Sequence, residues 1–450
     1  MKKRFIVVIV VVLVVAVALI LYFTLRTNVV TPTKVEEGET PAARVPKEEV
    51  DAGALSGKVV SVFGAFVDQE EARFNAAVKP FEDRTGIDVQ YEATKEFETL
   101  IVVRVEGGNP PDIAALPQPG LMKNFASRGA LVPLWPEIVD IINRNYAPVW
   151  LELGSSGGKA YGVFHRVNMK SLVWYPKKAW ADAGLAVPTT WEELEAIEQK
   201  AIGMGVAPWT VGFESGGATG WVGTDWVEDI MLRTAGPQVY DRWVNHEIPF
   251  NDPRVKEAVE IMGKRLKDPK YVFGGPQYVL STYFGDAPNV MFDSPPKAWM
   301  HRQGNFITGF FDENIQANLL EEVGLFGFPK IDPQWGTPAL GGGDQFVMFN
   351  DRPEVKAFME FLATWESGEL WAKAGGALFP YKTQDLNAYG NALERAQAEL
   401  LLNAEVFRFD ASDLMPGQVG AGTFWTGMVD YVSGVNADRV LKEIEDSWPQ

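Results

Sequence analysis

Apolar positions switch between strand and helix periodicity along the first part of the folded chain. Residues 59–63 are a short β-branched run, and residues 69–83 carry apolar side chains at the spacing of one helix face. Residues 87–91 alternate as a half-buried strand does, and a helix at 98–105 leads into a further strand at 112–116. This β–α–β order predicts an α/β fold, with a mostly parallel sheet and helices on both of its faces.

The same alternation resumes after residue 170. Thr190 precedes a helical pattern and Glu193 stands three residues later, which is the arrangement of a capping box, so a helix is expected to begin there. Glycine-rich joints near residues 154–162 and 341–343 separate two α/β units, which indicates two lobes around a cleft. The further predicted strands are 171–175, 289–292 and 324–328, and the further predicted helices are 180–183, 253–266, 353–366 and 391–403.

An apolar segment stands near the N-terminus. Residues 5–25 are apolar except for Thr24 and follow a basic stretch, and a run of about 20 such residues crosses a bilayer as a helix. The basic flank is expected to stay in the cytoplasm, which places the rest of the chain outside. A signal peptide cleaved after a small-residue motif is the alternative, but the run continues past that motif, so an uncleaved anchor at 1–26 is favoured. Residues 27–56 have the composition of a flexible linker.

Composition argues against several classes of function. The chain has 450 residues, enough for two or three domains, and a formal net charge of −18. That acidity argues against nucleic acid as a partner, because phosphate binding needs clustered Lys and Arg. The sequence has no cysteine, which excludes disulfides, thiolate metal sites and a lipid-modified N-terminal cysteine. The three histidines show no metal-ligand spacing and there is no glycine-rich phosphate loop, so neither a metal nor a cofactor is expected.

Six segments in order carry a resemblance that extends from about residue 57 to residue 448. The first three are KPFEDRTGIDVQYE, GNPPDIAALPQPG and GKAYGVFHRVNMKSLVWYP. The other three are VGLFGFPKIDPQWGTPALGGGDQFVMF, PEVKAFMEFLATWESGELWAKAGG and GTFWTGMVDYVSGVNADRVL. In this order they resemble the extracellular solute-binding proteins of ABC sugar importers, in the group of maltose-binding and α-glucoside-binding proteins.

The resemblance implies a periplasmic-binding-protein-like fold with two lobes joined by three crossings of the chain. It places lobe one at 57–166 and 342–400 and lobe two at 167–341 and 401–450. It also implies that the protein binds a carbohydrate outside the cell, such as maltose, trehalose or another α-glucoside oligosaccharide. The loaded protein is then expected to close about its hinges and deliver the sugar to the permease subunits of an ABC transporter. It is expected to act as a monomer that touches the membrane only through its N-terminal helix.

A sugar-binding site needs aromatic rings for the apolar faces of the sugar and planar polar groups for its hydroxyls. Nine of the 15 tryptophans fall within 167–341, so the stacking surface is expected in lobe two. The glycine-rich segment 214–226 is the best candidate because it alternates aromatic and acidic residues, namely Glu214, Trp221, Asp225 and Trp226. The alternative is that these tryptophans fill the core of their own lobe.

Further candidates follow from strand ends and from the resemblance. Asp293 and Trp299 follow the predicted strand at 289–292, and the loops after strands are where open α/β sheets bind ligands. The resemblance adds stacking at Trp299 and Trp425 and sugar contacts at Gly343 and Asp344, although Trp425 could fill the core and Asp344 could simply cap a turn. In lobe one the strand-end loops offer Phe66 and Gln118, while Arg166 and Asn168 are interpreted as structural.

The sequence gives no sign of catalytic machinery, so the protein is not expected to be an enzyme. Residues 154–158 formally match the G-x-S-x-G nucleophile pattern, but no apolar strand precedes them, and a plain glycine turn is favoured. A glycosidase needs two carboxylates across the scissile bond, and the 59 acidic residues leave such a pair available without pointing to one. A surface-anchored glycoside hydrolase or transglycosylase is therefore the alternative function.

Overall fold

The computed structural model describes residues 52–382 and 385–449. The predicted membrane anchor at 1–26 and most of the predicted linker at 27–56 lie outside the described residues. Among the residues that are described, no helix combines the length and the apolar character that a membrane span requires.

Twelve strands lie in the described part of the chain and form two main sheets and one hairpin. In chain order they are β1 (Val59–Gly64), β2 (Asp88–Ala93), β3 (Ile113–Leu116), β4 (Ser155–Ser156), β5 (Lys159–Ala160), β6 (Gly162–Met169), β7 (Leu172–Pro176), β8 (Ala207–Trp209), β9 (Ala298–Arg302), β10 (Val323–Gly327), β11 (Ala339–Met348) and β12 (Phe407–Phe409).

The larger sheet has six strands and defines what we call lobe one. Its order is β12–β11–β3–β1–β2, and β6 also pairs with β11. The pairs β1–β2, β1–β3 and β11–β12 are parallel, whereas β11 runs antiparallel to β3 and β6. The smaller sheet has the order β10–β7–β9–β8 and defines lobe two. There only β8–β9 is parallel. Three of the five strand pairs of the larger sheet are parallel, including both pairs made by β1, so the expectation of a mostly parallel sheet is confirmed there. The smaller sheet is mostly antiparallel.

Helices cover the faces of both sheets. In chain order they are α1 (Ala52–Leu55), α2 (Gln69–Thr85), α3 (Phe97–Glu106), α4 (Pro119–Ser127), α5 (Pro136–Asn145), α6 (Pro148–Leu153), α7 (Lys177–Asp182), α8 (Trp191–Gly203), α9 (Trp221–Thr234), α10 (Pro237–Val244), α11 (Pro253–Leu266), α12 (Gly275–Ser281), α13 (Glu313–Ala317), α14 (Leu319–Glu322), α15 (Pro353–Ala363), α16 (Trp365–Ala374), α17 (Ala392–Leu402), α18 (Ala411–Leu414), α19 (Trp425–Ser433) and α20 (Ala437–Asp446).

Local sequence explains where several of these elements lie. Helix α2 buries the apolar face that its periodicity predicts, at Phe74, Ala77, Val78 and Phe81. The Thr190 hydroxyl accepts a hydrogen bond from the backbone N–H of Glu193, and the Glu193 carboxylate accepts one from the backbone N–H of Thr190. The predicted capping box is therefore confirmed. The G-x-S-x-G segment forms the β4–β5 hairpin with a glycine turn, as expected.

Two predicted elements differ from the structure, the strand at 289–292 in lobe two and the helix at 353–366 in lobe one. Residues 287–292 form a 3₁₀ helix instead of a strand at 289–292, and Pro288 stands in its first turn, where a missing N–H costs no helical hydrogen bond. The strand is β9, a few residues later, and all five of its positions are buried. A strand that is buried on both faces shows no alternation, which hid it. The helix predicted at 353–366 is two helices, α15 and α16, which meet at Thr364.

The chain crosses between the lobes at three places that lie side by side. The first crossing joins β6 to β7 through Lys170 and Ser171, the second joins β10 to β11, and the third follows β12 at Asp410. Hydrogen bonds tie them together: Lys170 N donates to Leu340 O and Asp410 N donates to Gly341 O, both at 2.8 Å. The crossings therefore form one connected hinge region. The predicted lobe boundaries remain a prediction.

Candidate functional site

The site lies where strand ends of the two lobes face each other. In lobe one β1 ends at Gly64 and β3 at Leu116, and in lobe two β9 ends at Arg302. Open α/β sheets bind ligands outside the carboxyl ends of their strands. The 3₁₀ turn Gly216–Ala218 of lobe two contacts α3 of lobe one. The facing edges therefore enclose a cleft that is bounded by the hinge region at one side and by this contact at the other.

Three rings of lobe two, Trp221, Phe284 and Phe306, form what we call the aromatic platform. The Trp221 ring centroid lies 5.2 Å from that of Phe284 and 5.9 Å from that of Phe306. Trp221 is the first residue of α9 and is only half-buried. Gly220 before it has a φ of 111°, a conformation that favours glycine, and its backbone lies against that of Trp425. The platform offers a half-buried indole ring on which the C–H face of a sugar could pack.

A buried group of charged residues lies beside the platform at the hinge. This hinge cluster consists of Lys170, Asp225, Glu228, Asp410 and Asp413. The Lys170 ammonium is 3.0 Å from Asp225 Oδ1, bonds to Asp410 as well, and lies 5.1 Å from the Trp221 ring centroid. Glu228 accepts a hydrogen bond from the backbone N of Ser412 at 3.0 Å. The cluster joins the first and third crossings to helix α9 of lobe two.

The charges of the hinge cluster do not balance, because four carboxyl groups surround one ammonium group. Burial raises the pKa of Asp225 to about 6, although Lys170 opposes the shift. Burial and the neighbouring carboxylates raise the pKa of Glu228 and of Asp413 well above the usual range. Burial alone would lower the pKa of Lys170, but the carboxylates outweigh it and raise that pKa. The arrangement favours a protonated carboxyl group within the cluster.

The hinge cluster also offers the only geometry for a metal ion among the described residues. Oxygens of Asp225, Glu228 and Asp410 lie within 4.8 Å of one another. The Lys170 ammonium already bonds to two of these three residues. A metal cation in the same place would meet that positive charge directly, so the cluster fits a structural role at the hinge better than metal binding.

A second charged group lies on the lobe-one side of the cleft. Arg166 donates from Nε to Asp344 Oδ2 at 2.7 Å and pairs with Glu70 through its Nη1. Its guanidinium carbon lies 4.3 Å from the Phe66 ring centroid. Burial raises the pKa of Glu70 despite Arg166. Because Arg166 lies on β6, which leads into the first crossing, and Asp344 lies on β11, this pair borders the lobe-one side of the cleft near the hinge.

The structure brings six of the predicted site residues to the borders of the cleft. Gln118 lies at the end of β3, where its Nε2 is 3.4 Å from Glu98 Oε1 and its Oε1 has no partner among the described residues. Trp425 is 3% exposed, and its indole N–H likewise has no partner in the described part of the chain. The other four are Glu214, which caps the backbone of Gly216, and Trp221, Asp225 and Asp344.

Two predicted tryptophans lie in the core of lobe two, which corrects their assignment. Trp226 is 0% exposed and packs between Trp209 and Phe328, at centroid distances of 5.0 and 5.7 Å. Trp299 is 2% exposed and lies on β9, a strand with both faces covered. The alternative that these tryptophans fill their own lobe is therefore the correct one for both.

Three more candidates do not face the cleft as predicted. Asp293 lies before β9, at the end of the strand opposite to the cleft, where it pairs with Lys297 at 2.6 Å. Phe66 is buried in the core of lobe one, with its ring T-shaped on Trp371. Gly343 pairs with Val167 inside the sheet, where a Cβ would meet the Arg166 carbonyl oxygen at 2.7 Å. Its role is close packing of strands.

Several residues at the cleft were not among the candidates. Glu70, Lys170, Asp410 and the platform rings Phe284 and Phe306 lie far apart in sequence, and no local motif marks them. Arg166 was interpreted as structural, which agrees with its ion pairs. The detectable signal was the clustering of charge next to the crossings, since Lys170 directly follows the strand that leads out of lobe one.

Two lobes, three crossings and a cleft between strand ends define a class of ligand receptor that closes about a hinge. The chain belongs to the family of bacterial extracellular solute-binding proteins, whose family model matches residues 68–369. It is 47% identical over 394 residues to the osmoprotective compounds-binding protein GgtB of Synechocystis sp., which covers 87% of this chain and 93% of that protein. It is 41% identical to the alpha-glucosides-binding periplasmic protein AglE of Rhizobium meliloti, with 88% of each chain covered.

Solved structures agree on the fold. The bacterial solute receptor AcbH, described with a preference for β-D-galactopyranose, superimposes with a TM-score of 0.75 at 19% identity, covering 86% of this chain and 98% of its own. Maltose-bound MalE3 of T. maritima gives a TM-score of 0.69 at 18% identity, with 86% and 98% covered. The two-lobed periplasmic-binding-protein-like fold implied by the sequence is therefore confirmed.

Proposed function

We propose that this protein binds a neutral carbohydrate of the α-glucoside class in the cleft, outside the cell, and delivers it to the permease of an ABC importer. The names of the two relatives above, for α-glucosides and for osmoprotective compounds, support this ligand class. Maltose, trehalose and related oligosaccharides are the first candidates. The alternative, a surface-anchored glycoside hydrolase or transglycosylase, has no further observation in its favour.

The observation that carries the proposal is the half-exposed Trp221 next to buried polar groups at the hinge. Its indole face can stack on the apolar face of a pyranose. The unpartnered Gln118 Oε1 and Trp425 Nε1 supply one acceptor and one donor for hydroxyl groups. Such a pairing of one stacking surface with a few polar groups is typical of sites that bind polyhydroxylated ligands.

The charges around the cleft favour a neutral ligand over an anion. Carboxylates of Glu70, Asp344, Glu214 and Asp225 border it, whereas the cations Arg166 and Lys170 are already paired with carboxylates. An anionic ligand would have to enter against this negative charge. A sugar without charge pays no such cost and can use the carboxylates as hydrogen-bond acceptors.

Two buried histidines support binding without chemistry. Burial lowers the pKa of His165 to about 3 and that of His301 to about 4, so both are neutral near pH 7. His165 bonds to Ser367 Oγ and His301 to the carbonyl of Thr210, both inside the lobes. Neither is placed at the cleft as a general acid or base.

For the placement in the cell, we propose that residues 5–25 remain as a single membrane-spanning anchor with the lobes outside. The absence of cysteine leaves this helix as the means of attachment, since no lipid can be joined to an N-terminal cysteine. The protein would act as a monomer on its linker and meet the permease when loaded.

Calorimetry with maltose, trehalose, sucrose and longer α-glucosides tests the proposal. We expect at least one to bind with a Kd near the micromolar range, which corresponds to roughly −8 kcal/mol, together with a change in tryptophan fluorescence. Incubation for hours should release no glucose. Release of glucose would favour the hydrolase alternative, and failure of every sugar to bind would contradict the ligand class.

A further inference from the structure

The two lobes touch at the rim of the cleft. The Lys95 ammonium, after β2 of lobe one, lies 3.7 Å from the ring centroid of Tyr283 in lobe two. Nearby, Gly216 and Gly217 of lobe two lie against the start of α3: a Cβ on Gly216 would be 2.7 Å from the Lys95 carbonyl oxygen, and one on Gly217 would be 3.0 Å from Thr99 Oγ1. We call this set the rim contact.

The backbone of Gly216 fits the rim contact for two separate reasons. Its φ of 56° is a conformation that side chains rarely adopt. Its missing side chain also leaves the space that the Lys95 carbonyl fills, and a backbone atom cannot move aside as a flexible side chain can. The Glu214 side chain holds the turn, because its Oε1 accepts a hydrogen bond from Gly216 N at 2.9 Å.

The rim contact lies where closure of the two lobes about the hinge brings them together. Lys95, Glu96, Thr99 and Gly217 are all exposed at the outer edge of the cleft, whereas the hinge region lies at the opposite side. A rotation about the hinge separates the rim more than any part near the crossings, so the rim contact exists only in the closed form. Ligand affinity depends on the population of that form as well as on direct contacts.

We propose that the rim contact of Lys95 with Tyr283 and of Gly216 with the start of α3 stabilises the closed form and so sets the affinity of the cleft. Lys95, Gly216 and Tyr283 are positioning residues for ligand capture. The choice of a sugar as the ligand rests on the proposed function. The distance between the lobes can be measured without that assumption.

The test compares Gly216→Ala with Gly184→Ala. Gly184 has a similar φ of 63° but nothing within 4 Å of a Cβ, so it matches the backbone strain without the contact. Because the chain has no cysteine, the substitutions Asn75→Cys in α2 and Glu257→Cys in α11 place spin labels at these two sites only. We expect saturating sugar to shorten the interlobe distance in the parent and in Gly184→Ala. Gly216→Ala should need about tenfold more sugar for the same shift.

A second pair of variants removes the charge instead of adding bulk. Lys95→Met should weaken sugar binding several-fold, and Lys95→Arg should restore it because a guanidinium also binds an aromatic face. Unchanged Kd values, within twofold, for both Gly216→Ala and Lys95→Met would overturn the inference.

If no sugar binds the parent, the proposed function fails, yet the rim contact is still tested by distances without ligand. The parent should then show a short-distance population that is depleted in Gly216→Ala and kept in Gly184→Ala. Equal distributions in the three proteins, or no short population in the parent under any condition, would sink the inference.

Discussion

Trp221 and Trp226 stand on one helix, and their different surroundings explain why only one of them can be a ligand residue. Five residues along an α-helix turn the side chain by about 140°, so the two indoles point to different sides of α9. One faces the platform and the other packs against Trp209 in the core. The sequence identified the right segment, but both tryptophans were assigned to the ligand. Their spacing along a helix already indicates that they point in different directions.

Substitution of these two tryptophans should give opposite effects. Trp221→Ala should weaken α-glucoside binding by about tenfold or more, since a stacking surface is lost, and leave Tm nearly unchanged. Trp226→Ala should instead lower the free energy of unfolding by about 3–5 kcal/mol, as for other large core residues. Calorimetry and urea unfolding measure the two quantities. Normal stability in Trp226→Ala would contradict its placement in the core.

Lys170 should be among the residues whose loss costs most stability. Lys170→Met leaves the buried carboxylates of Asp225 and Asp410 without their ammonium, and loss of one partner of a buried pair typically costs about 3–5 kcal/mol. Urea unfolding at pH 8 measures the cost. A loss below about 1 kcal/mol would mean that the hinge cluster is hydrated and open.

The pH dependence of that loss has a definite sign. The pKa of Asp225 is about 6 in the folded protein and 3.8 without the protein environment. The folded state therefore holds more protons between these values, and this group's contribution to stability falls as pH rises through that window. Lys170→Met should raise the folded pKa further and extend the fall to higher pH. The deficit of the variant should thus shrink from pH 8 to pH 5, and a deficit that grows on acidification would contradict the assignment.

At the scale of single elements, the strands and helices with clear periodicity were predictable, whereas several fully buried strands were not. Helix α2, with one buried face, and strand β2, which alternates, follow their patterns closely. Strand β9 has every position buried, so neither a period of two nor a polar face marks it. Strands β6 and β11 are also buried at every position and were not predicted, and each pairs with the other across more than 170 positions of sequence, as Met169 does with Gly341.

The N-terminal cap of α8 allows a direct test of an element that was predicted from sequence. Thr190→Ala should lower the free energy of unfolding by about 1 kcal/mol, because the backbone N–H of Glu193 loses its acceptor. Thr426→Ala is the control, since Thr426 is an exposed helical threonine whose hydroxyl donates to the carbonyls of Gly422 and Thr423 and accepts from no helix N-terminal N–H. Thermal unfolding of both variants gives the difference, and equal Tm values would show that the cap contributes nothing.

At the scale of the whole molecule, the family, the two lobes and their crossings could be inferred from sequence, but the charged cluster at the hinge could not. The ion pair of Lys170 with Asp410 joins residues 240 positions apart. No spacing rule links such residues, and their pairing follows only from the way three crossings meet. The ordered motifs were enough to infer the fold because each corresponds to a local strand–helix unit. The charged clusters form only when distant segments pack together in the folded chain.

The proposed membrane anchor gives a prediction for the entire protein in its cell. Deletion of residues 1–26, with a cleavable secretion signal in their place, should release the lobes from washed membranes with unchanged sugar affinity. The full chain should stay with the membrane fraction and keep its N-terminal residues by mass spectrometry of the intact protein. A full chain found free of membranes and shortened near residue 18 would instead favour the cleaved signal.

The insertion of β11 into the middle of the larger sheet has a consequence for how the chain matures. Strands β1, β2 and β3 are made early, yet the strand that lies beside β3 ends at Met348, and the edge strand β12 ends at Phe409. Neither half of the molecule can finish before nearly the whole polypeptide has emerged. We expect this delay to favour export of the chain before it folds, because neither lobe can be completed until the C-terminal segments are available.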